Sequence, residues 1–194
     1  MINVIENLEI SELKDTKFIH PIKVTFNQNG KNKTWEAVRS HNSVAILLYH
    51  VEKKAFLLVK QFRVPVFLND NSKTFTYELC AGLVDKDKSL EVIAQEEIDE
   101  ECGYHVEIDD ISKITSFYTN VGISGACQYL FFAKINESMK IHDGGGINDE
   151  QIEVMYLPIE ESEEFIFDES KAKTPGLMFS FYWFFKNIEK LGVK

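Results

Sequence analysis

A chain of 194 residues, 44% hydrophobic and 12% aromatic, is long enough for one domain with a full core. Its net charge of -10 argues against a nucleic-acid backbone or an anionic membrane as the main partner. An acidic enzyme that handles phosphates must instead recruit metal ions and a few well-placed cations.

The opening stretch MINVIENLEISELKD has no basic-then-apolar leader, which argues against secretion. Ile22–Phe26 and Thr34–Val38 are β-rich runs joined through Asn29-Gly30, a hairpin signal. Ser43–Tyr49, Ala55–Phe62 and Thr74–Leu79 read as further strands, the first two buried. An acidic helix is expected over Leu90–Cys102, with Ser89 as N-cap and Gly103 as its left-handed stop. Strands follow at Ile114–Tyr118, Cys127–Ile135 and Ile152–Leu157. Between the last two lies a long connection holding Gly144, Gly145 and Gly146, either a lid over a binding site or a surface excursion. A final helix begins after Pro175, and its aromatic face (Phe181, Tyr182, Phe184, Phe185) reads as a core or dimer contact. The order of elements is that of an α+β domain.

Cys80, Cys102 and Cys127 are an odd number without CxxC spacing, which points to reduced thiols, core packing and a cytoplasmic setting. The scattered histidines lack zinc-ligand spacing, and the apolar run Leu177–Phe185 is too short to span a bilayer.

The acidic helix is the most informative segment. At roughly 100° per residue, Leu90, Ile93, Ala94, Ile98 and Cys102 share one arc, and Glu97 and Glu101 project into its middle. Two adjacent carboxyl groups aimed at a core lose hydration and repel one another, at several kcal/mol each when unpaired, so roughly that much must be offset. Either a cation sits between them or one of them stays protonated. Mg²⁺, with Mn²⁺ as a substitute, is the natural occupant of an all-carboxylate site. A solvated acidic face accounts for Glu96, Asp99 and Glu100 but poorly for Glu97 and Glu101.

Residues 82–104 resemble the Nudix box, Gly-x5-Glu-x7-Arg-Glu-apolar-x-Glu-Glu-x-Gly-apolar. Gly82, Glu97, Ile98, Glu100, Glu101, Gly103 and Tyr104 fall in register. Lys88 stands where the first glutamate is expected, and Glu96 where the arginine is expected. The runs HNSVAILLY, FLLVKQFRVPV, TYELCAGLVD and GGGINDEQIEVMYLP extend the likeness to the nucleotide-sugar pyrophosphatase branch, most of all to animal UDP-glucose diphosphatases. ADP-ribose and ADP-sugar pyrophosphatases are relatives of that branch.

The resemblance implies an α/β/α sandwich around a mixed sheet over residues 41–194, with a β-hairpin extension over 1–40 that serves dimerisation. It implies that Glu97 and Glu101 bind Mg²⁺, helped by Glu100 and the backbone carbonyl of Ala81. Glu150 matches the position of the general base, with Glu153 next in line. Arg63 would face the diphosphate and Glu78 would lie near the metals. Trp35 would stack on the nucleobase across a homodimer, and Gly122 would shape the substrate rim. Arg39, the other arginine, is either a substrate contact or an exposed strand charge. The implied activity is hydrolysis of a nucleoside-diphosphate sugar to nucleoside monophosphate and sugar 1-phosphate. The alternatives are ADP-ribose or ADP-sugar as substrate, or a catalytically silent module that binds nucleotides or a protein. Lys88 and Glu96 motivate the silent module.

Overall fold

The computed structural model describes Glu9, Thr16 and residues 19–147 and 149–193. Two strands, β1 (His20–Gln28) and β2 (Lys31–Arg39), pair antiparallel from His20↔Arg39 to Gln28↔Lys31 and form a sheet of their own. Asn29 and Gly30 both have positive φ, 54° and 78°, which a two-residue hairpin turn with the right twist requires.

The main sheet begins with β3 (Ser43–His50) and β4 (Ala55–Gln61). A short helix α1 (Val64–Asn69) follows, with Pro65 in its first turn, then β5 (Thr76–Glu78) and β6 (Cys80–Leu83). Arg63, just beyond the strand expected over 55–62, is the N-cap of α1. After β6 comes α2 (Leu90–Glu97), then β7 (Ser112–Thr119), β8 (Ala126–Ile135) and β9 (Glu153–Pro158). The chain ends with α3 (Ser162–Phe167), β10 (Ala172–Lys173) and α4 (Pro175–Asn187).

The strand order is β10-β5-β4-β3-β8-β7, with β6 added to β3 and β9 to β4. The sheet is mixed: β3 runs parallel to β8 and β5 to β10, while the other pairs are antiparallel. The pairing of β3 with β4 matters most. They are joined only at Leu48↔Leu57, Tyr49↔Phe56 and His50↔Ala55. Beyond that they diverge; β6 pairs with the near half of β3 and β5 with the far half of β4. This fork in the sheet opens a cleft.

Alternation along β3 builds two cores. Val44, Ile46 and Leu48 pack with Ile93, Ala94, Ile98 and Cys102 of the α2 region. Ala45, Leu47 and Tyr49 face the other way, onto Leu177, Phe181 and Phe184 of α4. Helices thus cover both faces of the sheet, the expected sandwich. The aromatic face of α4 divides accordingly. Phe181 and Phe184 are core, Phe56 stacking on Phe181 at 4.3 Å, whereas Tyr182 and Phe185 are exposed. No helix among the described residues is long and apolar enough to cross a membrane.

Candidate active site

The helix that carries the acidic residues starts as expected, Ser89 Oγ accepting from the Val92 N–H. It does not continue as a plain α-helix to Cys102. Its last turn, Ile98–Cys102, is a π-helix that ends on Gly103 at φ 75°. Such wide turns are frequent at functional sites. Ile93, Ala94 and Ile98 are fully buried, and burying two isoleucines contributes about 3–6 kcal/mol. That is enough to carry one carboxyl group inward with the helix.

Glu101 is that group, 6% exposed. Its Oε2 accepts the Ala81 N–H at 2.9 Å. Ala81 lies opposite Ala45 in the antiparallel β3–β6 ladder, yet its amide points away from β3 to the helix. Its carbonyl leaves the strand on that same side. Burial pushes the Glu101 carboxyl up to about 8, with Glu97 adding to the rise and the Ala81 bond opposing it. Burial and then the Glu100 charge push Glu97 up to about 7.

Gly82 shows how closely the helix meets the strand. A Cβ there would lie 2.0 Å from the Glu97 carboxyl group. The glycine run behaves in the same way. Gly145 and Gly146 donate their N–H groups to the carbonyls of Glu101 (2.9 Å) and Glu100 (3.0 Å), capping the end of the helix. A Cβ on Gly144 would lie 2.3 Å from the Glu101 carbonyl. The segment is therefore docked on the acidic helix through its glycines. It carries Glu150, whose Oε2 accepts the Ile147 N–H at 2.9 Å.

The fork between β3 and β4 holds a cleft of about 510 Å³, lined by Arg63, Glu78, Ala81, Glu97, Glu100, Glu101 and Glu150 among others. Most of the residues singled out in the sequence thus come together. Asp85, Lys86, Gln61, Ser43 and Gln128 also line it and carry no motif that would have revealed them. Arg63 and Glu78 bind each other, Nε to Oε1 at 2.8 Å and Nη2 to Oε2 at 2.9 Å, and Thr76 donates to Glu78 at 2.7 Å. This pair, with the Glu101 and Glu150 charges beyond it, holds the Arg63 guanidinium firmly protonated.

Among the described residues the carboxylates do not converge into a closed metal cage. Glu97, Glu100 and Glu101 offer hard oxygen donors in one cleft, and a cation there would offset the burial that holds protons on Glu97 and Glu101. That chemistry fits a divalent ion such as Mg²⁺, which keeps several of its own waters.

Four of the expected residues lie apart from the cleft lining. Trp35 is 55% exposed, and its Nε1–H donates to the Gly122 carbonyl at 3.0 Å, joining the hairpin to the β7–β8 turn. The Val38 N–H donates to the Ile123 carbonyl beside it. Arg39 ends β2 in an exposed position. Glu153, on β9, pairs with Lys60 at 3.2 Å and is not part of the cleft lining.

The chain is similar to known proteins of one family. The NUDIX domain family model matches residues 39–175. The bovine (Bos taurus) protein named uridine diphosphate glucose pyrophosphatase NUDT14 is 32% identical, over 95% of this chain and 96% of its own. Its mouse (Mus musculus) counterpart is 27% identical over the same shares. A GDP-mannose pyrophosphatase of Cronobacter sakazakii is 39% identical over 63% of each chain.

Proposed function

The chain belongs to the NUDIX family, and on that premise we propose that it is a Mg²⁺-dependent hydrolase of nucleoside-diphosphate sugars. The products would be a nucleoside monophosphate and a sugar 1-phosphate. The single observation that carries this is the buried Glu101 carboxyl, raised to about 8, in one cleft with Glu97, Glu100, Arg63 and Glu150. A UDP-sugar ranks first, because the similarity to proteins named for UDP-glucose spans the hairpin as well as the domain. GDP-mannose, ADP-ribose and ADP-sugars follow.

Glu97, Glu100 and Glu101, with the Ala81 carbonyl, would hold the cation. When bound, it supplies charge neutralisation at the diphosphate oxygens. Glu150 takes the proton of the attacking water from the rim of the cleft. Arg63, fixed through two of its nitrogens by Glu78, presents a rigid cationic edge to the diphosphate. The docked glycine segment keeps Glu150 next to the acidic helix while leaving its side chain accessible.

Trp35 and the Gly122 turn have no place in this cleft within one subunit. We assign them to the nucleobase of a substrate bound by a second copy, in a homodimer formed through the hairpin. Light scattering should return the mass of two chains, and Trp35→Ala should raise KM about tenfold with little change in kcat, from loss of a stack worth about 1–3 kcal/mol. A monomeric mass would sink the shared-site arrangement. The activity itself is tested by titrating Mg²⁺ against UDP-, GDP- and ADP-sugars with detection of the released monophosphate. Turnover without added metal would reject the Mg²⁺ dependence, and none on any substrate while nucleotide still binds would reject the hydrolase in favour of a binding module.

A further inference from the structure

Two positions break the box: a base, Lys88, stands in the place of an acid, and an acid, Glu96, in the place of a base. The structure brings these two residues together. Lys88 Nζ binds Glu96 Oε1, and Lys86 Nζ binds Glu96 Oε2 at 3.1 Å. Each carboxylate oxygen of Glu96 thus has its own ammonium, and the two lysines hold its carboxyl below the ordinary range.

We infer that Lys88 and Glu96 are one exchange of charge rather than two losses. With Lys86 they form a clamp that positions the metal-binding carboxylates. The lysines belong to the segment 84–89 that leads from β6 into α2, and Glu96 sits in the last turn of α2, one residue before Glu97. The other end of that segment is fixed, the Val84 N–H donating to the Asn42 carbonyl at 2.9 Å. Tied at both ends, the segment keeps Asp85 and Lys86 beside Glu97 in the cleft. Glu97 needs this restraint. Glu100, Glu150 and Asp85 all repel it, and Lys86 is the cation that offsets them. Independent losses would have left unpaired charges at both positions. Lys88 (43% exposed), Lys86 (39%) and Glu96 (27%) are too wet for their pairing to govern overall stability. The consequence belongs to the metal site, not to the fold.

The inference rests on the hydrolase reading for its purpose, but its test does not. Mn²⁺ binding by calorimetry is compared in wild type, E96R, K88E and K88E/E96R, with thermal unfolding of each. E96R places three cations together and should weaken Mn²⁺ binding about tenfold, with Tm nearly unchanged. The double variant restores an acid–base pair with the same summed charge and should return to within about threefold of wild type, a non-additive recovery. The milder E96Q, which only removes charge, should weaken Mn²⁺ binding about threefold and covers the case in which E96R misfolds. Purely additive effects, or unaltered Mn²⁺ affinity in E96R and E96Q, would overturn the clamp. Absence of turnover on nucleotide sugars in wild type would instead overturn the hydrolase and leave the binding result to decide the clamp.

Discussion

Glu101→Gln should abolish metal-dependent hydrolysis, by at least about 10³-fold, while making the metal-free protein more stable at alkaline pH. The two effects share one cause. In the folded protein the carboxyl holds its proton up to about pH 8, whereas an unfolded chain releases it near 4.5. Between those limits the native state binds more protons than the unfolded state, so stability falls as pH rises through the window and is flat above it. Glutamine has no proton to lose, and its side-chain oxygen can still accept the Ala81 N–H. At 1.36 kcal/mol per unit, a rise from 4.5 to about 8 makes the difference approach about 5 kcal/mol, or about 10–20 °C in Tm for a chain of this length. Unfolding followed in EDTA from pH 4 to 9 should show wild type and variant alike at pH 4 and diverging toward pH 8. Mg²⁺ should then stabilise wild type and leave the variant unmoved. A variant that still gains stability from Mg²⁺ would show that Glu101 is not a ligand.

What the sequence conveys about this site is local and periodic. Asn29-Gly30 specifies the hairpin because both residues must accept positive φ. The spacing of Ile93, Ala94 and Ile98 places Glu97 and Glu101 on the inward arc without any knowledge of the sheet. What escapes a linear reading depends on long-range pairing. The divergence of β3 from β4 is set by β5 and β6 inserting beside them, and β6 lies hidden in the start of the box. Helices α1 and α3 are too short to display a period. The Arg63–Glu78 pair joins residues on two elements and could not be told from two separate candidates. Lys88 and Glu96 read as defects for the same reason, since a loop and a helix face must meet before their charges are seen to match. The glycine run reads equally as lid or excursion until its amides are found on the helix carbonyls.

Those amides bear directly on Glu150, whose replacement by glutamine should lower kcat about 10²–10⁴-fold, the range for losing a general base. KM and Mg²⁺ requirement should stay within about threefold of wild type. The segment is held by backbone bonds from Gly145 and Gly146, which the substitution does not touch. The substituted amide also keeps an oxygen for the Ile147 N–H. The Glu150 side chain folds back over Gly146, where a Cβ would lie 2.5 Å from Glu150 Oε2, so the position of residue 150 is set by that glycine at φ 84°. A fall confined to kcat therefore reports proton transfer and not a displaced loop. Glu153→Gln is the internal control. Glu153 is tied to Lys60 across the β4–β9 ladder, and its loss should leave kcat within about twofold. If instead Glu153→Gln is the crippled variant and Glu150→Gln turns over normally, the base lies on β9 and the glycine segment serves only to cap the acidic helix.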